Sequence, residues 1–394
     1  MQAVFAFIFT ILFWPGISGA AIAPRWALVA VGAPLALMFM GPLRLTLGHL
    51  LGGLFLVWCF VSLTWTPVLV DGLDAASKLV MMALIFCIGA QMKSLKAVFI
   101  GAALGMTINS GLSIAQVMGY DGWPEVAKPG GLFMNKNLAA EAAAMVLVGT
   151  VAYRLWWLVP GILPSMFLTW SRGAILALAA CIAVAAWRAS PRLTAIVGAV
   201  VIFLGAMTFL NKANDDSGGR RLAMWGDTVD GMTLKGRGLG AFYVLYPATA
   251  TRTDALAARP DHVHNDLLEI AFETGPGVIL FLAFLAFALM APLGPERYVL
   301  FAFIVAGVAG FPFYMPFTAV LFSLVAGRLY GARADLLSEH PDRGMALRRW
   351  LASLTFFRGR GKAPGGSPAL VPVERALPPS YGVHLRGRPA ERPR

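Results

Sequence analysis

Long apolar runs, broken by short polar turns, fill most of the chain up to residue 331. One membrane crossing takes roughly 20 apolar residues, with about 17 to 25 usual. On that measure the pattern predicts about twelve spans. They lie near 2–20, 26–42, 46–65, 77–92, 96–118, 138–153, 155–170, 173–188, 193–210, 274–292, 297–312 and 314–331. The predicted fold is all-α, a polytopic integral membrane helical bundle. No soluble stretch is long enough to stand alone, and no internal repeat is visible.

Two connections depart from this rhythm. One joins Gly119 to Asn137, and the other runs from Asn211 to Asn265, ahead of the tenth span. A connection of the second length is too long for a passive turn and points to function. Basic residues orient the bundle, because short cytoplasmic connections collect Lys and Arg. With the N-terminus inside, those connections hold Arg44, Lys93, Lys96, Arg154, Arg188, Arg192 and Arg297, with Glu296 the one acid among them. The opposite connections hold Asp71, Asp74, Asp121 and Glu125. Both termini are therefore expected in the cytoplasm, and both long connections outside. Within the longer one, residues 222–229 predict a short amphipathic helix.

Composition agrees. The chain has 394 residues, 58% hydrophobic and 13% charged, against roughly 25% charged in soluble domains. Cys59, Cys87 and Cys181 lie singly in apolar runs, so they read as packing residues and not as a disulfide framework or metal site. The first residues lack the basic start of a signal peptide. Although Ala21-Ile22-Ala23 has small-residue cleavage character, an uncleaved first helix is expected. The formal charge of +12 comes largely from the C-terminal region. No aromatic–basic module accompanies it, so the expected partner of the charge is anionic membrane lipid and not nucleic acid. Residues 1–331 are thus expected to form the membrane domain, with 211–265 as its large outer loop. Residues 332–394 are expected to form a basic, largely disordered cytoplasmic tail, in which 334–357 are expected first to lie as a short helix on the membrane surface.

Candidate chemistry gathers where the long loop meets the tenth span, from Asp261 to Leu280. Two of the five histidines, His262 and His264, stand here. On a helix Asn265, Glu269 and Glu273 share one face, which suits a polar cavity and not lipid. A neutral imidazole can take a proton from a hydroxyl, with Glu273 or Asp266 fixing its tautomer. A helix cap or an interfacial hydrogen bond would equally occupy either histidine. A metal site needs further ligands than this pair supplies, so no metal is expected. Arg172 lies between two apolar runs, where a charge is expensive unless paired or wet. Arg220 and Arg221 open the loop's helical segment. Guanidinium groups grip phosphate with a two-pronged fork, while solvated or interfacial arginines would look the same in sequence. Asn137 is placed to cap the helix that follows it, which leaves Glu141, a turn inside the span, unexplained. Gly236-Arg237-Gly238-Leu239-Gly240 is glycine-rich, but no strand–helix unit surrounds it to make a dinucleotide site.

These residues occur in a known order. His264-Asn265, with Glu273 and Gly275 after it at the start of a transmembrane helix, resembles the signature of the O-antigen polymerase/O-antigen ligase superfamily of bacterial membrane glycosyltransferases, the Wzy-C group. Three further segments are similar: Gly131-Leu132-Phe133 with Asn137, Ser171-Arg172-Gly173, and Arg221 with Trp225 followed by Gly236, Gly238, Gly240 and Phe242. Together they span about residues 130 to 290. The chain departs from the pattern in having Pro276 alone between Gly275 and Gly277, and Arg237 between two glycines.

The resemblance implies a glycan donor on undecaprenyl pyrophosphate, attacked by a sugar hydroxyl at the periplasmic face of the bacterial inner membrane. His264 would orient or deprotonate that hydroxyl. Arg172 and Arg221 would hold the pyrophosphate. No cofactor, nucleotide sugar or metal is implied, and inversion at the anomeric carbon is expected. The absence of an added outer domain favours polymerisation of O-antigen or exopolysaccharide repeat units. Ligation to lipid A–core is the alternative, and a lipid-linked saccharide transporter is the alternative of another class. Other polysaccharide-assembly proteins are expected partners.

Overall fold

A computed structural model describes residues 1–16, 19–43, 45–122, 128–169, 171–189, 217–252, 260–291 and 294–339. Among these residues there are helices and turns and no strand. The first five helices are α1 (Gln2–Ile11), α2 (Ala23–Met38), α3 (Leu47–Ser62), α4 (Leu69–Gln91) and α5 (Lys96–Val117). After them come α6 (Lys136–Ala152), α7 (Val159–Phe167) and α8 (Arg172–Ala189). The long connection contains α9 (Ser217–Asp230) and α10 (Phe242–Thr249). The chain then continues through α11 (Asp266–Thr274), α12 (Gly277–Leu289), α13 (Pro295–Ala309) and α14 (Pro316–Glu339).

Leu47–Trp65, Leu69–Gln91 and Lys96–Val117 are each long and apolar enough to cross a membrane, and five shorter helices are also apolar. On α3, Leu50, Leu54, Val57 and Val61 are exposed, while Gly48, Phe55, Cys59 and Ser62 are buried on the other side. An outward apolar stripe of this kind is unfavourable in water and is the solvent face in lipid. The described helices lie on the other expected apolar runs, three of them long enough to cross a membrane, and the run at 193–210 lies outside the described residues. Three boundaries differ. Helix α1 ends at Ile11 and not near 20. Helix α4 starts at Leu69 and not near 77, because Asp71, Asp74 and Lys78 lower the hydropathy without breaking the helix. Lys78 even pairs with Asp74 one turn back, at 2.5 Å. Helix α14 continues past 331 to Glu339.

Close helix approach depends on small residues, as it must where lipid supplies no hydrophobic drive between helices. Where α4 meets α14, a side chain at Gly89 would strike the Leu324 carbonyl, and one at Gly327 would strike that of Phe86. Gly101 and Gly105 of α5 likewise admit Ala3 and Thr10 of α1. At the centre stands α6, buried at every position from Ala139 to Thr150. Its alanines let α5, α7, α8 and α13 approach from all sides.

The break between α11 and α12 has a local cause. Pro276 has no N–H to offer the Phe272 carbonyl one turn back. That carbonyl accepts instead from Arg237 N at 2.9 Å, and the Glu273 carbonyl accepts from Gly238 N at 2.8 Å. The Thr274 carbonyl accepts from the Trp58 indole at 2.7 Å. The glycine-rich segment therefore seals a helix end. Gly238, at φ +101°, leaves no room for a side chain beside Thr66.

Candidate active site

The loop ahead of α11 is fixed at several points. Asn265 is the N-cap of α11, its carboxamide accepting from Leu268 N at 3.0 Å. Glu269, in the first turn, reaches back over the loop. One carboxylate oxygen lies 2.8 Å from His262 Nδ1, and the other accepts from Val263 N at 2.8 Å. The Val263 carbonyl accepts from the Trp225 indole of α9 at 3.0 Å. His264 stands at φ +57°, in the left-handed region that histidine tolerates better than most side chains. This turn folds His262 and Val263 back over Glu269.

Opposite this loop is the corner between α13 and α14, residues 310–315. Phe311 packs against both histidines, with ring centroids 4.8 Å from each, and His262 also lies on Tyr314 at 4.6 Å. Asp266 accepts from Phe313 N at 3.1 Å, while its other oxygen is buried without a hydrogen bond. Arg221 Nη1 donates to the Ala309 carbonyl at 3.0 Å. Gly173, next to Arg172, lies against the same Ala309. Gly310 leaves just the space that the Glu141 carboxylate fills. Arg221, Glu141 and the two histidines therefore converge on one corner, and Gly173 brings the start of α8, which Arg172 opens, against it.

The electrostatics of the corner centre on Arg221, whose charge acts on both His264 and Glu141. Burial, then Arg221, then His262 hold the His264 imidazole down at about 4, so it is neutral at ordinary pH. Glu141 Oε2 and Arg172 Nε are buried without hydrogen-bond partners. A buried guanidinium N–H of this kind suits an anion from outside the chain.

On the far side of His262 lies a cavity of about 290 Å³. Glu269 and Glu273, one turn apart on α11, line it together with Tyr314 and Trp26. Glu273 accepts from Phe242 N at 3.2 Å. Burial, then Glu269, push it up to about 8. Glu269 and Glu273 thus share a polar face as expected, but Asn265 does not join them, being spent on the cap.

Several side chains have other tasks than the sequence suggests. The histidine that meets a carboxylate is His262, through Glu269, whereas Glu273 bonds the Phe242 amide; the left-handed turn at His264 decides this. The cap of α6 is Asn135, extended and accepting from Asn137 N at 2.9 Å, which places Asn137 inside the first turn. Arg237 braces its own loop, donating to the Gly231 carbonyl at 2.7 Å. Arg220 is exposed, and Arg221 half-buried. Among the described residues no group of three or more His, Cys, Asp or Glu side chains could hold a metal ion. Sequence reasoning missed the corner itself. Its signal was present in Gly310, Pro312 and Pro316, which punctuate two apolar runs.

No curated protein matches the chain. Residues 162–285 match the Wzy_C family, described as O-Antigen ligase. That segment contains Arg172, Arg221, both histidines and all of α11. Over that segment the chain is similar to the O-antigen polymerase/ligase superfamily.

Proposed function

We propose that the protein transfers a glycan from undecaprenyl pyrophosphate to a sugar hydroxyl at the periplasmic face of the inner membrane, and so polymerises O-antigen or exopolysaccharide repeat units. The observation that carries this reading is the meeting of Arg221 and His264 at the Ala309–Phe311 corner, with Arg172 at the start of the helix that Gly173 packs against it. Two guanidinium groups suit a pyrophosphate, and Arg221 is the better candidate of its pair because Arg220 is exposed. In the reaction, the acceptor oxygen bonds to the anomeric carbon and loses its proton. The bond from that carbon to the phosphate oxygen breaks, and the electron pair leaves on the pyrophosphate. Fixed cations at the place where charge collects are the larger source of rate. Neutral His264, beside them, orients the reacting groups by hydrogen bonding.

Ligation to lipid A–core is a second reading, favoured by the description of the matched family. The two differ in acceptor and share the donor site. The test is reconstitution of the purified protein with its host's lipid-linked repeat unit. A ladder of products, lost in His264→Ala and Arg172→Ala of equal thermal stability, supports polymerisation. Product formed solely when lipid A–core is supplied replaces it with ligation, and no product with either acceptor removes the transferase reading.

A further inference from the structure

The arginine corner offers a donor site but no evident place for the acceptor. We propose that the cavity behind His262 is the acceptor subsite, that it takes a hydroxyl-rich sugar without acidic groups, and that His262 receives the hydroxyl proton. This assignment rests on the transferase reading above and adds a second site to it.

Charge excludes the donor from this cavity. Asp71, Asp261 and Glu269 line it beside Glu273, which is held up at about 8 and so carries no charge at neutral pH, and Lys78, its one lysine, is already paired with Asp74. A pyrophosphate would be repelled, as would an acidic sugar. Hydroxyl groups are donors, and carboxylates are their acceptors. The walls supplied by Trp26, Tyr243 and Tyr314 are flat aromatic surfaces that suit the C–H faces of a sugar ring. The volume, about 290 Å³, lies at the small end of ligand pockets, enough for the terminus of a glycan and not for its lipid.

The proton acceptor follows from the dyad. Both oxygens of Glu269 are committed, to His262 Nδ1 and to Val263 N. With Glu269 as the acceptor of that contact, Nδ1 carries the proton and the lone pair lies on Nε2. A carboxylate so placed also stabilises the imidazolium that proton uptake creates. His264 has no such support and sits beside Arg221, which opposes a second positive charge. The Phe311 ring packs on both imidazoles, joining His262, which lines the cavity, to His264, which lies beside Arg221. The hydroxyl proton passes to His262 Nε2, the oxygen bonds to the anomeric carbon, and the pyrophosphate leaves toward Arg172 and Arg221.

The test separates the two sites in the full-length protein in nanodiscs. Undecaprenyl pyrophosphate, which carries no glycan, probes the donor site by direct binding. Transfer is followed with the host's lipid-linked repeat unit as donor and a soluble oligosaccharide as acceptor, either neutral or capped with a uronic acid. His262→Asn keeps an N–H for Glu269 and removes the proton acceptor. It is expected to lower transfer about a hundredfold with undecaprenyl pyrophosphate binding unchanged. Ala75→Trp, which fills the cavity from α4, is expected to raise the acceptor KM about tenfold without weakening that binding. The uronic-acid acceptor is expected to be the poorer one. Wild-type transfer rates in His262→Asn, a preference for the acidic acceptor, or loss of undecaprenyl pyrophosphate binding in Ala75→Trp would each overturn the assignment. A wild-type protein that forms no glycosidic bond from this donor overturns the transferase reading itself, and the assignment with it.

Discussion

Arg221 donates to the main-chain carbonyl of Ala309 at 3.0 Å, and this bond ties α9 to the end of α13. One guanidinium prong is therefore structural, and in the proposed donor site the same fork also meets the phosphate. A lysine has the charge but not the fork. Arg221→Lys must give up either the carbonyl or the phosphate. The expected result is a drop of about tenfold in undecaprenyl pyrophosphate affinity, near 1.4 kcal/mol, with a larger drop in turnover. Direct binding and initial rates measure the two.

How much of this was legible before the structure depends on distance along the chain. The apolar runs located the helices, because burial in lipid needs the same run length whatever the neighbours are. The helix over 222–229 was legible too, and extends over Ser217–Asp230. The contact of His262 with Glu269 was not, because it needs a left-handed residue at 264 and no rule of spacing announces one. Nor was the Gly310–Tyr314 corner, since phenylalanines that wall a polar site have the hydropathy of phenylalanines that face lipid. The glycine-rich segment was legible as no dinucleotide site, but that its amides serve the open end of α11 was not.

His264 gives a pH signature. Its folded value is about 4, below the unfolded value of about 6.5. Between these two values the unfolded chain binds the extra proton, so stability rises with pH across that window. The contribution is complete above about pH 6.5 and is lost as pH falls toward 4. His264→Gln cannot titrate. Melting temperatures of the two proteins at pH 7.5 and 4.5 should therefore show wild type losing more on acidification than the variant. Equal losses would mean that the imidazole is not held neutral.

The seal on α11 makes a prediction about stability. Gly238 sits at φ +101°, and a Cβ there would lie 2.5 Å from Thr66 Cα. Gly238→Ala meets both an unfavourable backbone and a clash with main chain. Backbone strain alone is worth about 1–3 kcal/mol, and displacement of the loop would strip the Glu273 carbonyl of its donor. The melting temperature in detergent should fall by several degrees, and proteolysis within residues 231–241 should become faster.

Gly310 supplies a sharper test of the corner, because it separates fold from site. A side chain there would meet the carboxylate of Glu141, the movable end of a side chain, and would approach the Ala306 carbonyl at 3.1 Å. The helix ends can accommodate that with small shifts, so Gly310→Ala should fold. Glu141 cannot stay where it is, and its carboxyl lies near enough to Arg221 to feel that charge. Transfer should therefore fall about tenfold while the melting temperature changes little. If the effect passes through Glu141, then adding Gly310→Ala to Glu141→Ala should change nothing further. A double-mutant cycle on transfer rates measures this, and strong coupling between the two positions is the expected outcome. Additive losses would instead mean that Gly310 acts through the backbone of the corner, with Glu141 a bystander.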